Sequence, residues 1–155
     1  MKKKTVFSQL GAFLAGLAGG VIAFMLMLFL EGALVFFKLA VFLTSGGGTL
    51  LFPAFIEEFV KVAIVKTLGR RHGLWEVALG VGVGVGVVEG VIAQRGIDTR
   101  LLINKFLYLQ PLFLLAGGAI AWLIFPKSDK FFFIFWVVFS AVLHWAYNVL
   151  SFSLD

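Results

Sequence analysis

Apolar runs about 20 residues long, broken by carboxylates, a glutamine and a histidine, constrain this chain more than anything else in it. Five can be read, at roughly 10–30, 50–68, 74–94, 104–125 and 131–153. A helix rising 1.5 Å per residue needs ~20 residues to cross ~30 Å of hydrocarbon. In lipid, only helices and closed barrels satisfy every backbone N–H and C=O. The expected fold is therefore all-α, a polytopic transmembrane helical bundle of about five spans. Composition agrees, because 61% of the 155 residues are hydrophobic, against ~45–50% in a soluble domain. The chain has no cysteine, which removes disulfides, thiolate nucleophiles and cysteine-bound metal.

A net charge of +5 does not point to nucleic acid here. The basic residues lie between apolar runs, where lysine and arginine set topology. Met1-Lys2-Lys3-Lys4 before the first run reads as an uncleaved signal anchor, since the run is longer than a signal-peptide core. Residues 33–44 are too short to span and carry Lys38, so they continue the first helix or lie at the interface, a tilted or re-entrant path remaining open. Residues 1–49 thus form an N-terminal anchor with a short apolar segment, and 50–155 a four-helix core. With the N-terminus inside, Lys2, Lys3, Lys4, Lys66, Arg70, Arg71, Lys127 and Lys130 fall inside and Lys38, Arg95, Arg100 and Lys105 outside. That bias of eight to four favours N-in and C-out.

Punctuation marks the span ends. Ser45-Gly46-Gly47-Gly48 precedes the second helix, and Pro53 falls in its first turn, where a missing N–H costs least. Gly69-Arg70-Arg71-His72-Gly73 reads as a tight basic turn with His72 solvated, and Pro126-Lys127-Ser128-Asp129-Lys130 ends the fourth span. Trp75, Trp122, Tyr108 and Tyr147 are placed as interfacial aromatics. The third run alternates Val and Gly from Gly80 to Gly86; as a helix it offers small-xxx-small pairs at 80/84, 82/86 and 86/90, so it should be central in the bundle.

The second run holds Glu57, Glu58 and Lys61, the third Glu89, the fourth Gln110-Pro111, and the fifth His144 and Asn148. An ionisable group at the bilayer centre costs at least ~2.5–3.5 kcal/mol, so such residues face the interior and mark function. Glu57 and Lys61 share a helix face, as do His144 and Asn148. Counted from each span's midpoint, Glu57, Glu58 and His144 lie within ~3 Å of the midplane, Glu89 and Gln110 ~7 Å away and Asn148 ~9 Å. With alternating helix directions, all but Lys61 fall in one half of the membrane. One shared site is the economical explanation.

An i,i+4 pair of Glu57 with Lys61 leaves Glu58 and Glu89 as carboxylates available for general-base work. His144 suits oxyanion stabilisation or proton shuttling, and Asn148 suits orienting it or donating to the same oxyanion. No serine in the set sits with a base as a nucleophile requires. A metal such as zinc is disfavoured and no cofactor is expected: an ammonium occupies the slot where the Glu-x-x-His motif would need histidine, and one intramembrane histidine is too few. The set therefore suits water-mediated attack on a carbonyl.

At these residues the chain resembles the PrsW-like intramembrane proteases, within the superfamily of CAAX prenyl proteases and bacteriocin-processing (CPBP) membrane proteins. Glu57-Glu58-Phe59-Val60-Lys61 matches the family's Glu-Glu-x-x-Lys signature. Gly82 to Glu89 is similar to its Gly-x-Gly-Phe-Ala-x-x-Glu motif, with Val85 for the aromatic and Gly86 for the alanine. His144-Trp145-Ala146-Tyr147-Asn148 resembles its closing His-x-x-x-Asn/Asp. The likeness covers about 50–153. It implies an intramembrane peptide hydrolase of a prokaryotic plasma membrane. Glu57/Glu58 would activate water, with Glu89, His144 and Asn148 as catalytic partners and Lys61 and Gln110 in support. The substrate would be a peptide or membrane protein, in or near the bilayer. Gln110 stands where the family carries a further histidine, and an amide cannot shuttle a proton. An inactive scaffold or immunity-type protein therefore stays open, as does a proton- or ion-coupled transporter or channel. Lipid is an expected partner, nucleic acid is not, and a homo-oligomer is left open.

Overall fold

In a computed structural model of the chain, residues 6–36, 51–93, 99–125 and 129–152 are described. They form five helices, α1 (Val6–Phe36), α2 (Leu51–His72), α3 (Leu74–Ala93), α4 (Thr99–Ile124) and α5 (Asp129–Phe152), and no strand among the described residues. The expected all-α bundle is what the chain adopts. Three stretches, Val6–Leu30, Leu74–Ile92 and Lys130–Leu150, are long and apolar enough to cross a membrane, and Tyr108–Ile124 is a shorter apolar helix. The α2 sequence is diluted by its own charges, yet 22 residues of helix extend ~33 Å.

Hydrophobic side chains are arranged for lipid rather than water. Every helix exposes large apolar residues, among them Phe7, Phe29, Phe59, Val91, Leu123 and Leu150, with Phe7 87% exposed. The buried set meanwhile includes Glu58, Lys61, Gln110 and His144. Polar groups inside and apolar groups outside is the pattern of a chain whose solvent is hydrocarbon.

Helices α2, α3, α4 and α5 form a four-membered ring in which α2 packs on α3 and α5, and α4 on α3 and α5. The α1 helix lies outside this ring against α2 and α3. A core of Val62, Val65, Val77, Val81, Leu114, Trp136 and Val137 fills it, and Trp136 Nε1 donates to Leu114 O at 2.6 Å. A second cluster joins Ala23, Phe24 and Met27 of α1 to Val60 and Val85.

The α3 helix packs on three neighbours, as its glycines suggest. Gly16 and Gly20 of α1 meet Gly80 and Gly84 of α3 backbone to backbone; a Cβ on Gly20 would lie 2.9 Å from Gly84 Cα. Such approach is how helices gain van der Waals contact where lipid supplies no hydrophobic drive. On another face, a Cβ on Gly82 would lie 2.7 Å from Pro111 N, so α3 and α4 also touch closely. Gly73 turns the chain between α2 and α3 at φ 143°, a conformation reserved for glycine.

Residues 33–36 continue α1, while 37–50, with Lys38 and the triple glycine, lie outside the described residues. The half-buried Tyr147 ring packs against Phe113, with centroids 5.6 Å apart. Trp75, Tyr108 and Trp122 remain on the surface.

Candidate functional site

The bundle gathers the polar residues of four helices into one buried network. Its hub is Lys61, which has no exposed surface. Its Nζ donates to Glu58 Oε1 at 2.6 Å and, in a short contact, to Gln110 Oε1. Glu57 Oε1 lies 2.6 Å from the same nitrogen, an ion pair without an aligned hydrogen bond. An ammonium has three protons to give, and three acceptors surround this one. Gln110 passes the network on, donating from Nε2 to Glu89 Oε2 at 2.9 Å. At the other end, His144 Nδ1 lies 3.1 Å from Glu58 Oε1 and 3.7 Å from Glu57 Oε1.

Local geometry explains these meetings. Side chains three and four residues apart stand on one helix face, so Lys61 reaches both Glu58 and Glu57. The expectation that Lys61 would neutralise Glu57 and leave Glu58 free is therefore corrected. Its ammonium nonetheless joins the other polar residues. Helical side chains lean towards the N-terminus, and a four-carbon stem carries the ammonium back one turn to its carboxylates.

Glu58 is wholly buried and divided in its duties. Oε1 takes both Lys61 and His144, while Oε2 is buried with no hydrogen-bond partner. Glu57 is less enclosed, with 13% of its side chain exposed. A carboxylate accepts only, so the contact with Glu58 requires a proton on His144 Nδ1, which leaves Nε2 as the ring's second functional nitrogen. The imidazole is held flat against Phe113, with centroids 5.2 Å apart and planes 16° off parallel. Phe113 was not singled out from the sequence, although it stands three residues past Gln110 on the same helix face. Asn148 sits one turn beyond His144 on α5, half-buried.

Glu57, Glu58 and His144 bring one ligand atom each within 4.8 Å of one another. Three such ligands suit a divalent cation in kind. The Lys61 ammonium, however, already stands 2.6 Å from both carboxylates. A second cation there would meet like charge at close range, so this donor set fits a metal poorly.

Gln110 is a bridge rather than a spare donor, with its carbonyl given to Lys61 and an amide hydrogen to Glu89. Gln110→Leu would strand both partners in a buried site, and is expected to cost ~1–3 kcal/mol. Gln110→His keeps one acceptor and one donor nitrogen and is expected to stay near the parent. Thermal unfolding in detergent micelles checks both; equal melting temperatures for the two variants would refute the bridge.

No family model, curated protein or solved structure matches this chain. The functional reading therefore stands on the site itself.

Proposed function

We propose that the chain is an intramembrane peptide hydrolase in which Glu58 activates water. The observation that carries this reading is the divided carboxylate: Oε1 is anchored by Lys61 and His144, and Oε2 is buried without a partner. A buried acceptor left unpaired costs ~1–3 kcal/mol, and a water donating to Oε2 would relieve that cost while standing ready to attack.

The chemistry then balances with one water. Glu58 takes a proton as the water oxygen bonds to the scissile carbonyl carbon. The oxyanion is stabilised by the Lys61 charge, by Asn148 and by the protonated His144 ring through Nε2. When the C–N bond breaks, His144 gives its Nε2 proton to the leaving nitrogen. The product carboxylic acid returns a proton to His144, and Glu58 passes its own to the product amine. Glu57 and Glu89 hold Lys61 and Gln110 in place. Lys61 serves as the resident cation, and no metal is required.

Proton-coupled transport is the rival reading, favoured by the continuous chain from Glu89 to His144. Gln110 interrupts it as a relay, because an amide does not carry a proton. The test is purified protein in liposomes with a reporter transmembrane peptide. Cleavage lost in His144→Ala, with helicity retained and no ion flux, supports the hydrolase; flux without cleavage supports transport. Cleavage is expected to survive a zinc chelator. Loss in chelator with recovery on added zinc would overturn the metal-free mechanism.

A further inference from the structure

A second feature lies on the opposite side of α2 from the buried network. Between α2 and α5 runs an open groove of about 470 Å³, lined by Phe55, Phe59, Val62, Ala63, Phe133, Ile134, Val137 and Val138, with Lys66 and Lys130 among them. Its size falls within the ~300–1,000 Å³ of small-ligand sites. Apart from the lysines, every lining side chain is hydrocarbon, and no carboxylate lines it. Among the described residues neither lysine forms an ion pair; Lys66 Nζ rests 4.8 Å from the centre of the Phe133 ring.

The charges sit at one end. Lys66 lies in the last third of α2, one turn before Arg70 and Arg71 in the helix's last turn, and Lys130 is the second residue of α5. From Lys66 back to Phe55 the groove follows α2 for ~16 Å, close to half of a ~30 Å hydrocarbon core. The length is that of one leaflet, with the lysines and Phe133 at one end and Phe55 at the other.

We propose that this groove binds an anionic phospholipid, with the phosphate between Lys66 and Lys130 and an acyl chain along Phe59, Val62, Ala63 and Val137 towards Phe55. Basic pockets between membrane helices select anionic headgroups in this way. The α2 helix that carries Glu57, Glu58 and Lys61 inward would thus be supported on its outer face by lipid.

The test is native mass spectrometry of the intact chain from micelles containing equal amounts of phosphatidylglycerol and phosphatidylcholine with the same acyl chains. The parent is expected to retain phosphatidylglycerol by roughly thirtyfold over phosphatidylcholine, from about 1 kcal/mol per lysine near the surface. Lys66→Gln with Lys130→Gln should bring that ratio to near one. Ala63→Phe, which fills the groove and leaves both lysines, should lower retention of both lipids. All three positions lie at the periphery, and unchanged helicity verifies folding. Equal retention of the two lipids by the parent, or retention indifferent to Ala63→Phe, overturns the proposal. So does displacement of the lipid by millimolar inorganic phosphate, or a lipid-free dimer that Ala63→Phe dissolves.

Discussion

Replacing Lys61 by methionine is expected to destabilise the bundle by ~3–5 kcal/mol, the cost of removing one partner from a buried ion pair. Methionine nearly matches the lysine stem, so packing around α2 changes little and the loss is electrostatic. Without the ammonium, the Oε1 atoms of Glu57, Glu58 and Gln110 converge on an apolar gap, each still dehydrated. Adding Glu57→Gln and Glu58→Gln to Lys61→Met should recover most of the loss, because it removes the two charges that the lysine was holding. Groups sharing one network couple strongly, so the combined variant should be far more stable than the sum of the single effects. Unfolding titrations in mixed micelles, followed by helicity, read both quantities. A Lys61→Met protein as stable as the parent would mean that the ammonium is not the hub of the site.

How much of this was legible in the sequence depends on the range of the interaction concerned. The helices were, because a run of apolar residues in lipid has only a helix or a closed barrel available to it. Pro53 falls in the first turn of α2 as its missing N–H dictates. Gly80 and Gly84 were readable as a packing face, but that they meet Gly16 and Gly20 of α1 was not, because helix-pair choice depends on how four other helices share the remaining surface. At the site, the polar residues were recognisable one by one from the cost of burying them. Their wiring was not. Lys61 has two carboxylates within reach on its own helix and takes both, but that Gln110 would arrive from α4 as its third acceptor and His144 from α5 beside Glu58 depends on how the helices pack. Phe113 was invisible for a related reason: a phenylalanine among 19 in this chain gains meaning only when a histidine lies flat on it.

Glu58→Gln is expected to lower the proposed hydrolysis by ~10²–10⁴-fold, the usual worth of a positioned general base, or about 3–5 kcal/mol of barrier. The variant separates chemistry from architecture. The glutamine carbonyl can still accept from Lys61 and His144, and Lys61 retains Glu57 and Gln110, so helicity and melting temperature should change little. What disappears is a basic oxygen where Oε2 now stands unpartnered. Glu57→Gln is the control, since it removes the same charge from the same ammonium. Glu57, however, lies 3.7 Å rather than 3.1 Å from His144 Nδ1 and is partly exposed, so it contributes field and position rather than the proton-accepting atom. Its loss should stay within about tenfold. Initial cleavage rates of the reporter peptide in liposomes, with the two variants side by side, decide the matter. A large loss confined to Glu58→Gln assigns the base. Equal losses in both would show that the site needs the summed negative charge around Lys61, and the divided carboxylate would no longer support a water-activating role for Glu58.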